Sequence, residues 1–202
     1  TIELLDLRQH FAAMRMVKKQ PELEAIGQAI AITSRSLQSI TKKARYLDTT
    51  ESDIDNELRY QFRKKGASGL AFDNVVAFGG NAAIIHHIQD STPLPKNGLV
   101  LLDVGAEVEH YASDITRVYS VGKPTKRMLQ VFEHAQNALE HALTLLKPGV
   151  LSADFEQEME HVVGEKLRAL GLIKTIDREN VRQYFPTYTS HHLGLDPHDM
   201  SD

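Results

Sequence analysis

The chain has 202 residues, a formal charge of −4, 42% hydrophobic and 25% charged residues, the profile of a folded globular chain rather than a disordered one. It contains no cysteine, which excludes disulfide frameworks and thiolate zinc sites. No apolar run reaches the roughly 20 residues of a membrane helix, and the mild acidity argues against nucleic acid or an anionic membrane as the main partner.

The start, Thr1-Ile2-Glu3-Leu4, has neither a basic n-region nor an apolar h-region, so it does not read as a signal peptide and a cytoplasmic location is expected. Leu23, Ile26, Ile30, Leu37, Ile40 and Ala44 recur at steps of three, four or seven. They predict one helix from about Pro21 to Tyr46 with a single apolar stripe, and Pro21 suits its first turn. Thr50 followed by Asp53 predicts a capped start for a shorter helix. Its inward face is Ile54, Leu58 and Phe62, and Gly66 is the expected stop.

Strands are expected over Leu70 to Phe78, Leu99 to Val104 and Ser113 to Val121, with Gly79-Gly80, Pro93 and Pro95 marking the loop between the first two. After Gly122-Lys123-Pro124 the helical pattern returns: Met128, Val131, Phe132, Ala135, Leu139, Ala142, Leu145 and Leu146 mark a long helix ended by Lys147-Pro148-Gly149. Ser152 is expected to cap another, with Phe155, Met159, Val162 and Leu170 inward and Gly171 as its stop. A linker-like stretch then leads to an expected strand from Tyr188 to Leu193. The order of long helix, short helix and strands thus begins twice. A second strand pair is expected, and the chain stops before supplying one.

Asp103 sits in the otherwise apolar run Leu99 to Val104, where a carboxylate is costly unless paired or metal-bound. A hairpin turning between Val108 and Glu109 would place Asp114 directly opposite, with Cβ atoms roughly 4.5–5.5 Å apart. A divalent cation or a shared proton would relieve the repulsion. The plainer alternative is that backbone N–H groups satisfy each aspartate separately.

The second cluster is Thr189 to Asp199, with His191, His192 and His198 interleaved with Gly and Leu. Imidazole and carboxylate together suit Mn, Fe, Co or Zn, whereas Ca and Mg prefer oxygen alone. His86-His87 follows Ile84-Ile85 and is expected at a strand end; taken alone, His86 reads as structural. His10, His110, His134, His141 and His161 read as surface or packing residues.

The segments Leu101-Leu102-Asp103-Val104-Gly105-Ala106-Glu107 and Tyr111-Ala112-Ser113-Asp114-Ile115-Thr116-Arg117 resemble the region of the first two metal ligands in the pita-bread metallopeptidases. That superfamily includes Xaa-Pro aminopeptidases, prolidases and methionine aminopeptidases. Ser190 to Asp199 is similar to the S-H-x-L-G-L-D-x-H-D pattern of aminopeptidase P, and Ile84-Ile85-His86 keeps that family's order. The resemblance covers roughly Ala71 to Asp202. Two positions depart from the pattern: His192 stands where an aromatic residue is usual, and Pro197 where a small β-branched one is common.

The resemblance implies an α+β pita-bread fold, a pseudo-two-fold repeat of helices packed on a curved antiparallel sheet, here C-terminally truncated. Residues 20–202 would be part of the catalytic domain and 1–19 the tail of a linker from an N-terminal domain. It implies that Asp103 binds one metal of a dinuclear site, that Asp114 bridges both, and that His191 is the imidazole ligand of the other. His198 would lie close to the scissile amide, and His86 would line the substrate pocket.

The implied cofactor is two divalent ions, Mn first, with Co, Fe or Zn as other candidates. The implied activity is hydrolysis of the N-terminal Xaa-Pro bond by a metal-bridged hydroxide, on peptides with proline second. No nucleic acid or membrane partner is expected, and a homo-oligomer is open for the full-length protein. A prolidase and a non-catalytic peptide- or protein-binding module are the other readings. The family's two glutamate ligands lie further on, so the chain alone is expected to bind the metal pair weakly and to be inactive.

Overall fold

The computed structural model describes residues 5–43 and 49–200. The chain divides into two units, Thr1–Lys123 with His192–Asp202, and Pro124–His191.

In the first unit, a nine-residue helix α1 (Arg8–Met16) precedes the long helix α2 (Gln20–Lys43); the expected end of that helix, at 44–46, lies outside the described residues. The buried face of α2 is Ala25, Ala29, Ile32, Thr33, Ser36, Leu37 and Ile40, while Leu23 and Ile30 of the expected stripe are exposed. The face is rotated because small and hydroxyl residues, invisible to an apolar count, pack inward. Helix α3 (Glu51–Lys64) starts at a reciprocal cap: the Thr50 hydroxyl accepts from the Asp53 N–H, and the Asp53 carboxylate accepts from the Thr50 N–H. Ile54, Leu58 and Phe62 are buried as the spacing predicts, each contributing roughly 1.5–3 kcal/mol. Gly66, at φ 98°, follows the helix.

Among the described residues six strands follow: β1 (Gly69–Leu70), β2 (Val75–Phe78), β3 (Gly98–Val104), β4 (Ala106–Val108), β5 (Tyr111–Ala112) and β6 (Ile115–Val121). They form two antiparallel sheets, β1-β4-β5 and β2-β3-β6. The strand expected over Leu70 to Phe78 is therefore two strands, one in each sheet. Gly105 marks the bend between them on the other chain segment. A Cβ there would lie 2.0 Å from the Ser113 carbonyl oxygen, so only glycine allows the backbones to approach. Helix α3 packs on β2, and α2 on β4 and β5. Their shared core gathers Leu37, Leu58, Phe62, Val76, Leu102 and Val104.

The second unit contains α4 (Lys126–Leu145), α5 (Ser152–Ala169) and α6 (Arg178–Arg182). Ser152 is the first helical residue of α5 rather than its cap; Leu151 occupies the cap without a side-chain bond. Ala138 and Ala142 of α4 pack against Phe155, Met159 and Val162 of α5. Val131, Phe132, Leu139 and Leu146, which the α4 stripe marks as core, are exposed. The linker-like stretch holds α6, capped by Asp177, whose carboxylate accepts from the Asn180 N–H at 2.9 Å.

Tyr188 to Leu193 does not form a strand. The Thr189 and Ser190 N–H groups are taken by the Glu156 carboxylate at 2.8 and 3.0 Å, so a side chain replaces the ladder. No described helix is long and apolar enough to cross a membrane.

Candidate metal centre

Along β3, Val100, Leu102 and Val104 point into the core, and Asp103 alternates to the other face, half-buried. Its partner is not Asp114. The β3–β6 register pairs Asp103 with Thr116, and the Thr116 hydroxyl donates to Asp103 Oδ1 at 2.8 Å. The cause is the turn. Glu109 and His110 take φ of 50° and 70°, two left-handed residues in succession that form a tight two-residue hairpin. The hairpin centre thus lies one residue later than the expected Val108–Glu109 midpoint. The shift displaces Asp114 by two positions, which keeps it on the same face but as a diagonal neighbour.

The backbone beside Asp114 is set by a buried hydroxyl pair. Thr33 Oγ1 and Ser113 Oγ are 2.7 Å apart. Both accept from the Ala106 N–H, at 2.9 and 3.0 Å, and Ser113 Oγ donates to the Ala106 carbonyl at 2.9 Å. Thr33 and Ser113 are fully buried, so beside the bend at Gly105 the two hydroxyls satisfy one another and the Ala106 backbone.

His198 sits on a loop tied down at three places. The Asp199 N–H donates to the His192 carbonyl at 2.9 Å, and the Ala112 N–H of β5 to the Gly194 carbonyl at 2.8 Å. The Asp199 side chain is 1% exposed and ion-paired with Arg15 and with Lys18, the latter at 2.9 Å. Burial pushes the Asp199 carboxyl up. The Lys18 hydrogen bond, the Met200 N–H and the charges of Lys18 and Arg15 outweigh it, holding the group below the usual carboxylate range. Gly194 makes room for this carboxylate, since a Cβ there would lie 2.1 Å from Asp199 Oδ2.

His86 does not sit at a strand end. It lies in a turn after a short 3-10 helix (Gly79–Ala83), exposed, at φ 54°. The neighbouring His87 is buried, with Nε2 2.7 Å from a Glu51 carboxylate oxygen.

Within the first unit, His86, Asp103, Asp114 and His198 line one cavity of about 620 Å³, together with Arg59 and Asp73. Donor atoms of Asp114 and His198 lie within 4.8 Å of one another. His191 closes the second unit, one peptide bond before His192. Two carboxylates and imidazoles converging on one space form a mixed O/N donor set, which fits a divalent transition ion.

Thr116, Thr33, Ser113, Arg15 and Lys18 all support this site without having been singled out in the sequence. Thr116 was findable, because it lies two residues after Asp114 and shares its strand face.

Carboxylates and imidazoles thus line one cavity beside two antiparallel sheets that are backed by α2 and α3. Residues 24–202 match the model for metallopeptidase family M24, and the chain belongs to that family, with its α+β pita-bread fold. It is 31% identical to the Xaa-Pro aminopeptidase of Haemophilus influenzae, over 98% of this chain and 47% of that protein. It is 30% identical to Xaa-Pro aminopeptidase 3 of Homo sapiens, over 97% of this chain and 39% of that one. Among solved structures, it is similar to the low-pH form of aminopeptidase P from E. coli, with a TM-score of 0.91 at 28% identity, covering 98% of this chain and 46% of that one. The chain thus spans about half the length of the curated relatives it matches.

Proposed function

We propose that the chain supplies part of the active site of an Xaa-Pro aminopeptidase, which releases the first residue from peptides with proline second. The observation that carries this reading is the convergence of His86, Asp103, Asp114 and His198, from four separate stretches of sequence, on one cavity. The names of the relatives supply the substrate class. In the same reading, residues 20–202 belong to the catalytic domain, the protein is cytoplasmic, and manganese is the first candidate metal.

Asp103 and Asp114 would hold the divalent ions, with His191 as a further ligand. When bound, such ions supply Lewis acidity toward a carbonyl and a nucleophile derived from water near neutral pH. The residues of the chain do the rest. Thr116 donates to one oxygen of Asp103, and the other would take the cation. His198 and His86 stand at the cavity wall, where an imidazole nitrogen can stabilise the carbonyl oxygen or pass a proton to the departing amine. An Xaa-Pro bond has no amide N–H, so recognition falls on the free amino group and the proline ring.

The test is hydrolysis by the full-length protein with manganese. Release of the first residue from Xaa-Pro-Yaa tripeptides is the expected result. Cleavage of Xaa-Pro dipeptides alone would make it a prolidase, and no hydrolysis despite bound metal would make it a binding module.

A further inference from the structure

Glu51 opens α3 with a side chain that is 0% exposed. A buried carboxylate is costly unless donors surround it, and here four do. Oε1 accepts from the Phe78 N–H at 2.7 Å and the Asn81 amide at 2.9 Å. Oε2 accepts from the Asp90 N–H at 3.2 Å and lies 2.7 Å from His87 Nε2. All four donors belong to the single segment 78–90.

The same segment is tied to the start of α3 by the backbone. The Glu51 N–H donates to the Thr92 carbonyl and the Ser52 N–H to the Asp90 carbonyl, both at 3.1 Å. The Ser52 hydroxyl reaches the same Asp90 carbonyl at 2.8 Å. Inside this frame stands His86, at φ 54°. Non-glycine residues rarely adopt that left-handed backbone, and it persists where the surroundings impose it. Asn81 fixes the chain five residues before His86, and His87 fixes it one residue after. His86 itself makes no part of the network and faces the cavity shared with Asp103 and Asp114.

We infer that Glu51 is a positioning residue for His86, acting through His87 and Asn81 to hold segment 78–90 in the conformation that presents the His86 imidazole to the cavity. Buried and bonded at both oxygens, it sets a loop that carries no strand after Phe78. The consequence for turnover rests on the proposed peptidase reading; the positional claim does not.

The experiment uses the full-length protein, labelled with 15N-histidine, as wild type, Glu51→Gln and His87→Gln. In Glu51→Gln the ring and amide signals of His86 and His87 are expected to move and broaden, while those of His198 hold. In kinetics on an Xaa-Pro-Yaa tripeptide, kcat is expected to fall roughly 10–100-fold, the scale of a misplaced catalytic group, with KM and metal stoichiometry unchanged. His87→Gln, which alters the other side of the same bond, should reproduce that pattern. Unmoved His86 signals with normal kcat would overturn the inference. So would a uniform change of all histidine signals with lost metal, the mark of a merely structural role. Selective movement of His86 in a protein that hydrolyses no peptide would uphold Glu51's role and remove the peptidase reading instead.

Discussion

Asp103 and Thr116 face each other across the β3–β6 ladder, and the threonine hydroxyl donates to the aspartate at 2.8 Å. The bond occupies one carboxylate oxygen of a residue that lines the cavity. Thr116→Val keeps the β-branched shape that suits a strand and removes only the donor. Metal affinity is expected to fall roughly 10–100-fold, as for other groups that orient a ligand. Because Thr116 is exposed, stability should change by less than about 1 kcal/mol. Calorimetric metal titration and urea unfolding of the full-length protein measure the two effects, and Thr116→Ser should restore the affinity. Equal affinity in the valine variant would remove Thr116 from the site.

Asp114 stands where the ladder is interrupted opposite Gly105, in the same cavity as His198. Asp114→Asn preserves size and removes one negative charge and its ligand strength. In the full-length enzyme it should abolish hydrolysis of an Xaa-Pro-Yaa peptide and lower the bound metal, while the far-ultraviolet circular dichroism spectrum stays as in wild type. Near-normal turnover would sink the assignment of Asp114 as a ligand.

The sequence made the chemistry of this site easier to read than its geometry. Asp103 in an apolar run and the Thr50–Asp53 cap are local signals, and both sit in the elements they predict, whereas the histidine cluster after Ser190 lies in a loop and not in the expected strand. The pairing of Asp103 differs from the expected one by two positions, because the register depends on the backbone hand of Glu109 and His110. Neither residue is a glycine or asparagine that would announce a left-handed turn. The Tyr188–Leu193 strand failed for a similar reason. A carboxylate 34 residues earlier, Glu156, satisfies the backbone there, and no local pattern reports so distant a partner. Hydroxyl residues such as Thr33 and Ser113 read as neutral in sequence and turn out to hold the bend.

Asp199 gives the loop of His198 a pH dependence. Its carboxyl is held below the ordinary aspartate value of about 3.9. A depressed pKa contributes stability that is complete above the unfolded value and is lost as pH falls through the folded one. The Asp199 contribution should therefore be whole at pH 7 and decline below about pH 5. Asp199→Asn leaves Lys18 and Arg15 around a neutral amide, and a broken buried pair costs about 3 kcal/mol. That loss should be seen in urea unfolding at pH 7 and should shrink as the pH falls through the unfolded and then the folded value, where wild type comes to lose the same charge. A gap that stays constant with pH would show that packing, not the ion pairs, holds the loop.

Thr33 reaches from α2 across 80 residues of sequence to Ser113, one residue before Asp114. Thr33→Val is close to isosteric, so it leaves no cavity, but it removes a hydroxyl that both donates to Ser113 Oγ and accepts from the Ala106 N–H. In a site with no solvent, the lost partners cost roughly 1–3 kcal/mol, measured by urea unfolding. Thr33→Ser keeps the hydroxyl and should recover most of that, losing only the methyl group. The same valine variant also tests whether the bend matters to the metal. With Ser113 and the Gly105 turn less firmly held, Asp114 should bind metal more weakly while Asp103, fixed by Thr116 on the regular ladder, keeps its place. Amide signals of Ser113 and Asp114 should therefore shift, and those of Leu102 and Asp103 should not. Shifts spread evenly along β3 and β6 would mean that the two aspartates are held by the sheet as a whole and not by the hydroxyl pair at its bend.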